Sequence, residues 1–177
     1  MKLVVPSPLY KKSFLEALRE YQREEISERD IRHDLVPLYP NVLAKSFETY
    51  IKQIVDASKG KYLPKGFVAH TTYWLVDCNE FIGRVDIRHT LTDKLLREGG
   101  HIGYDIRSSK RKMGYGKKLL ALALPKAKAL GITKALITCD ESNIGSKKII
   151  EANGGVFENS VDMGEGCPRK LRYWIQR

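Results

Sequence analysis

Phe14, Leu15, Leu18, Tyr21, Ile26 and Ile31 recur at helical intervals among charged residues between Ser13 and about His33. This spacing predicts an amphipathic helix, broken near Ser27, with one buried face. Pro37 and Pro40 interrupt the chain that follows. Phe47, Tyr50, Ile51 and Ile54 place the face of a second helix over Val42 to Ala57, and Gly60, Pro64 and Gly66 mark a loop. The texture then changes. Phe67 to Val76 is rich in β-branched and aromatic side chains and reads as a strand, with Asp77 to Glu80 turning it into a second strand, Phe81 to Arg88. A loop from His89 to Gly100 leads to a short strand, His101 to Ile106. A helix is predicted from Gly116 to Leu130, ended by Gly131 and kinked by Pro125. Lys134 to Cys139 alternates like a buried strand, and Asn143 to Ala152 reads as a helix capped by Ser142 or Asn143. Val156 to Val161 and Lys170 to Gln176 complete an antiparallel pair. The order predicts an α/β fold, a mixed and mostly antiparallel sheet flanked by helices.

The 177 residues suit a single domain spanning 1–177. No stretch approaches the roughly 18 apolar residues of a membrane-spanning helix, so no membrane partner is expected. Met1-Lys2-Leu3-Val4-Val5-Pro6 lacks the pattern of a secretory leader. Cys78, Cys139 and Cys167 are odd in number and far apart, so neither a disulfide framework nor a metal site is expected. A reducing cytoplasm is the expected compartment. Lys and Arg total 31 against 21 Asp and Glu, a net charge of +10. Nucleic acid, a phosphorylated cofactor, an acidic substrate or an anionic membrane would all suit that sign. Charge alone does not choose among them.

The chemistry concentrates in Arg107-Ser108-Ser109-Lys110-Arg111-Lys112-Met113-Gly114-Tyr115-Gly116-Lys117-Lys118. A strand enters a short basic loop, two glycines flank Tyr115, and a helix begins there. Glycines allow a backbone to approach an oxyanion, and the first amides of a helix have no intrahelical partner. Arg107, Lys110, Arg111, Lys112, Lys117 and Lys118 surround the turn, with no acid among residues 106–118. A phosphate or pyrophosphate is the expected ligand, and a plain turn with solvated lysines is the bland alternative. Leu119 stands where a dinucleotide fingerprint has its third glycine, and no P-loop spacing occurs.

Arg111-x-x-Gly114-x-Gly116 resembles the Arg/Gln-x-x-Gly-x-Gly/Ala signature of the GNAT acetyltransferase superfamily. Ile137 to Gly155 resembles that family's second cofactor segment: Asn143, then the small Ser146, then a helix ending in a glycine turn. The likeness covers about residues 67–176. It implies a GNAT-like acyl-CoA N-acyltransferase fold with a splayed central strand pair, here Ile102–Ile106 and Ala135–Cys139. It also implies acetyl-CoA as co-substrate and transfer of its acetyl group to a primary amine of a small molecule or peptide, by direct attack in a ternary complex. The cofactor positions so implied are Ile106, Arg111, Lys112, Met113, Gly114, Tyr115, Gly116, Lys117, Asn143 and Ser146. Loop amides would hold the pyrophosphate, and a backbone amide near Asp105 or Ile106 would polarise the thioester carbonyl.

Four residues are candidates for acid–base work. His101 and Asp105 fall on one side of their strand with Gly103 between them, and His89 and Glu98 flank the loop that could border an acceptor pocket. Each reads equally well as a surface hydrogen-bonding group. Cys139 has no histidine partner and reads as a small buried hydrophobe. Many family members place a tyrosine seven residues after the asparagine to protonate the leaving thiolate, but here that position is Ile150. Tyr104, Tyr115 and Tyr173 are substitutes without a positional argument. Unassisted departure is the preferred expectation, since a thiol pKa of about 8.5 makes thiolate a tolerable leaving group.

Residues 13–57 carry no cofactor motif and are expected to wall the acceptor site. The basic balance favours a neutral or anionic amine over a polycation. Two other classes compete: a basic nucleic-acid-binding module, which Tyr104, Tyr115, Tyr173 and Trp174 permit without any recognised motif, and a non-catalytic acyl-CoA sensor. A homodimer is compatible with the sequence.

Overall fold

The expected strands form, but in two sheets that meet at one corner. The computed structural model describes residues 1–23 and 40–176. The predicted break near Ser27, the helix end near His33 and the interruption at Pro37 lie outside the described residues. In chain order the elements are β1 (Lys2–Val4), α1 (Lys11–Arg23), α2 (Pro40–Asp56), β2 (His70–Asp77), β3 (Glu80–Arg88), α3 (Asp93–Glu98), β4 (Ile102–Ile106), α4 (Tyr115–Ala129), β5 (Lys134–Asp140), α5 (Ile144–Glu151), β6 (Val156–Val161) and β7 (Lys170–Gln176). One sheet has the order β1-β2-β3-β4 and the other β5-β7-β6, with every pair antiparallel.

Local chemistry explains most of these elements. Cys78 and Asn79 both take positive φ, 45° and 63°, which makes the two-residue hairpin turn between β2 and β3. Pro40 opens α2 rather than breaking it, a position where its missing N–H costs nothing. α4 runs continuously through Pro125 to Ala129. Two elements were not expected. β1 has three residues, too few to show alternation, and pairs Leu3 with Leu75. The predicted loop after His89 holds α3, whose Thr92 hydroxyl accepts from the Leu95 amide at 3.3 Å.

Alternation along β2 and β3 builds two cores, one on each face of the first sheet. Leu75, Val85, Ile87 and Ile102 pack with Leu119, Leu120, Ala123 and Leu124 of α4 and with Ile137 of β5. On the other face Trp74, Val76 and Phe81 meet Phe14, Leu18 and Tyr21 of α1 and Phe47 and Tyr50 of α2. Phe14 stacks on Trp74 with ring centroids 4.6 Å apart and meets Phe81 edge-on at 5.1 Å. Removing one such buried side chain typically costs about 3–5 kcal/mol.

The corner between the sheets is made by His101 and Leu136. The His101 amide donates to the Leu136 carbonyl at 2.7 Å, and the Leu136 amide donates to His101 Nδ1 at 2.9 Å. Past this junction no ladder pair joins β4 to β5 among the described residues. The strands therefore splay, as the family resemblance implies. On its other edge β4 is held to β3, with Arg88 N–H donating to His101 O and Arg107 N–H to Ile82 O, both at 2.8 Å. Because neighbouring residues in an antiparallel ladder point their backbone groups in opposite directions, Tyr104 and Ile106 turn theirs into the opening.

Candidate functional site

The two glycines at the end of this opening do different work. Gly114 takes φ +83° with open space where a Cβ would stand, so it is needed for its left-handed backbone. Gly116 is buried, and a Cβ there would lie 2.4 Å from Ile149 Cδ1 of α5. Gly116 thus lets α4 press against α5, and its side of the helix faces a neighbour rather than a ligand. No side chain among the described residues caps α4. Its first amides, beginning at Tyr115, remain available to an anion. Lys112, Met113 and Lys117 are exposed around them, with Lys112 at φ 61°.

The ring of cations read from the sequence is partly neutralised by acids from distant elements. Arg107 is buried, and its guanidinium lies 2.7 Å from Glu20 of α1 and 2.9 Å from Glu80 of β3. Lys110 pairs with the other Glu80 oxygen at 2.8 Å. Arg111 is turned back, with Nε donating to Ile106 O at 3.1 Å and its guanidinium 6.0 Å from the Tyr21 ring. That leaves the exposed Lys112, Lys117 and Lys118 as the cations nearest the α4 terminus.

Asn143 caps α5, its Oδ1 accepting from the Ser146 amide at 2.9 Å. The Ser146 hydroxyl lies 2.9 Å from the Tyr104 hydroxyl, a contact that bridges the splay from β4 to α5. Burial raises the Tyr104 hydroxyl well above the ordinary tyrosine range, against the lowering effect of the Ser146 bond, so it stays protonated. Burial, helped by Asp140, pushes the Cys139 thiol up to about 11, which makes it a poor nucleophile near neutrality. Tyr173 is buried against Glu151 and Phe157, and Tyr115 is half-buried at the start of α4.

The acid–base candidates are not gathered together. His101 spends Nδ1 on the Leu136 amide, which assigns the ring proton to Nε2; burial, then Arg88, lower its pKa. His89 shares a 2.8 Å hydrogen bond with Thr71, and burial followed by the charge of His70 lowers its pKa. Glu98 ends α3, 3.9 Å from Lys94, while its carbonyl accepts from Thr138 at 2.9 Å. Asp105 stands opposite Arg84 on the sheet face that meets α1.

That face carries groups the sequence reading missed. Arg84 and Asp86 form a buried ion pair at 2.7 Å, and Thr72 donates to the second Asp86 oxygen at 2.6 Å. Burial works to raise the Asp86 carboxyl, but Arg84 and Thr72 outweigh it and hold the pKa below the usual carboxylate range. The signal was present as Arg84, Asp86 and Arg88, charges at alternate positions of a strand whose other positions are apolar. Beside them, His70, Asp86, Arg88, Phe67, Thr92 and Leu95 line a cavity of about 100 Å³. The Tyr21 hydroxyl is buried on this face with no hydrogen-bond partner among the described residues, and burial and the charge of Asp105 raise its pKa.

Residues 16–156 match the acetyltransferase (GNAT) domain family, a span that includes the later part of α1, the splayed strand, both glycines and Asn143. The chain belongs to the GNAT family of acetyltransferases. No curated protein matches it in sequence. Among solved structures, this GNAT chain is similar to the ribosomal-protein-S5-alanine acetyltransferase from Vibrio fischeri, with TM-score 0.70 and 14% identity over 98% of this chain and 91% of that one. It is similar also to the microcin C7 self-immunity acetyltransferase MccE, solved with acetyl-CoA and AMP, at TM-score 0.65 and 14% identity over 99% and 91%. RimL, the ribosomal L7/L12 α-N-protein acetyltransferase, solved with coenzyme A, shows TM-score 0.67 and 12% identity over 98% and 92%. At these identities the likeness establishes the fold. No helix among the described residues is long and apolar enough to cross a membrane.

Proposed function

We propose that this acetyltransferase takes its acetyl group from acetyl-CoA and passes it to a primary amine by direct attack in a ternary complex. The observation that carries the reading is the uncapped N-terminus of α4, set by Gly114 at the open end of the β4–β5 splay. The residues present fit the co-substrate. The amides at the start of α4, with Lys112 and Lys117, would hold its pyrophosphate, and the Tyr104 backbone groups would pair with an extended amide-bearing arm. Met113 and Tyr115 border that path, and Asn143 and Ser146 close it from α5.

Acetyl-CoA supplies an activated thioester. Within the splay, the outward N–H of β4 at Ile106 polarises the carbonyl that the amine attacks. Among the described tyrosines Tyr104 is the best placed to give a proton to the departing sulfur, because its hydroxyl bridges the two sides of the opening through Ser146; the proton shed by the attacking amine passes to solvent, from which the phenolate recovers its own. The acceptor approaches the opposite face of β4, where Asp105, Tyr21 and the cavity at His70 and Arg88 lie. His101 acts through the corner it pins. On that face Arg84 and Arg88 are balanced by Asp86 and Asp105, so the preference for a neutral or anionic amine over a polyamine rests on the net charge of +10.

Thiol release from acetyl-CoA against a panel of amino acids, peptides, aminoglycosides and polyamines tests the reading, alongside calorimetric titration with coenzyme A. Tight coenzyme A binding and turnover with at least one amine are expected. Absence of coenzyme A binding would remove the reading.

A further inference from the structure

We propose that Glu20, on the helix that walls the acceptor side, is a positioning residue for the coenzyme A loop; the proposal rests on reading residues 107–117 as that loop. Glu20 grips the start of the loop with both carboxylate oxygens. Oε1 accepts from Arg107 Nε at 2.9 Å, and Oε2 accepts from the backbone amide of Ser109 at 3.1 Å. Burial works to raise its carboxyl, but the hydrogen bonds from Arg107 and Ser109 prevail and hold the pKa at about 2, so the grip is charged at any physiological pH. The next residue of α1, Tyr21, lies under Arg111, which in turn donates to Ile106 O. Successive residues of α1 therefore fix the turn Ser108–Lys110 and the first residue after it.

The far end of the loop is fixed differently, by the packing of Gly116 on Ile149. Between these anchors, Arg111, Lys112, Met113 and Gly114 are exposed and belong to no strand or helix. The direction of the amides that meet an anion is consequently set by where the two ends are held. Loosening the Glu20 end displaces the cradle without touching a ligand-contacting group. By linkage, an acceptor that shifts α1 changes coenzyme A affinity, and coenzyme A changes acceptor affinity by the same factor.

Calorimetric titration with coenzyme A and steady-state kinetics test this on Glu20→Gln, Glu20→Asp and, as a control, Glu48→Gln, which alters an exposed α2 carboxylate 3.8 Å from Lys11. Glu20→Gln is expected to weaken coenzyme A binding at least tenfold and to raise the KM for acetyl-CoA by a similar factor. Its kcat at saturating acetyl-CoA should stay within twofold of wild type. Glu20→Asp, which keeps the charge with a shorter reach, should recover part of the affinity and serves alone if the Gln variant does not fold. Glu48→Gln should bind coenzyme A like wild type. Glu20 variants that melt earlier but bind coenzyme A within twofold of wild type would show a purely structural residue and overturn the proposal. Wild-type protein that binds no coenzyme A would overturn the loop reading and the proposal together.

Discussion

Gly116 of α4 lies so close to Ile149 of α5 that a Cβ on it would stand 2.4 Å from Ile149 Cδ1. The neighbour is the far end of a flexible side chain, so a small substituent is tolerated by moving it and a branched one is not. Gly116→Ala should cost about 1 kcal/mol and Gly116→Val about 1–3 kcal/mol, measured by urea unfolding. Ile149→Val removes the clashing atom and should rescue the Ala variant in a double-mutant cycle. Gly116→Val should also weaken coenzyme A binding more than Arg111→Ala, through displacement of the helix rather than by blocking the ligand's approach. Equal binding by Gly116→Val and wild type would refute that coupling.

At Gly114 the same substitution acts through the backbone. Gly114→Ala places a side chain at φ +83°, at a cost of roughly 1–2 kcal/mol, with no clash to relieve. Ile149→Val should give this variant no rescue. A rescue equal to that of Gly116→Ala would mean that the two glycines share one role.

His101 should impose a pH dependence on stability. Its folded pKa lies below the unfolded value near 6.5 because of burial and Arg88, so the unfolded chain binds protons first as pH falls. Stability is then unaffected above about pH 6.5 and declines as pH drops from there toward the folded pKa. His89, shifted in the same direction, adds to the slope. His101→Ala leaves the Leu136 amide without its acceptor, at about 1–3 kcal/mol, whereas His101→Asn offers a carbonyl in place of Nδ1 and should lose less. Thermal melts from pH 5 to 8 check both effects; an unchanged slope in His101→Asn would assign the dependence elsewhere.

Tyr104→Phe should lower kcat by at least about tenfold, the lower range of an acid's contribution to a thiolate that already leaves readily. Coenzyme A affinity should hold. Tyr115→Phe and Tyr173→Phe should each lose less than roughly tenfold. If Tyr104→Phe loses under about threefold, departure of the thiolate needs no side-chain acid.

The pair Arg84–Asp86 should be costly to break from one side. Asp86→Asn removes the carboxylate of a buried ion pair and should destabilise the protein by about 3–5 kcal/mol. Loss of under 1 kcal/mol by urea unfolding would mean that the other groups around Arg84 carry its charge.

Much of the fold was legible because its signals are local. β-Branched and aromatic enrichment marked β2, alternation marked β5, and β3, β6 and β7 lie within a few residues of the expected bounds, while the hairpin turn at Cys78 and Asn79 is decided by two backbone angles. The glycine loop could be read for a related reason, since a left-handed turn before an uncapped helix is written in neighbouring residues. α3 and β1 escaped because neither is long enough to show a period.

The sequence by itself determined most of the secondary elements, the anion-ready start of α4 and the family. Only the tertiary structure decided what the charges do. Glu20 and Glu80 lie 87 and 27 positions from Arg107, so no window around the basic loop could show that they claim its first two cations. The same holds for Gly116, whose reason is a methyl group on another helix, and for Tyr104, which a strand and a helix bring to Ser146 across 42 positions. Local propensity acts over a few residues, whereas Coulomb attraction and close packing act through space, and space is arranged only when the chain folds.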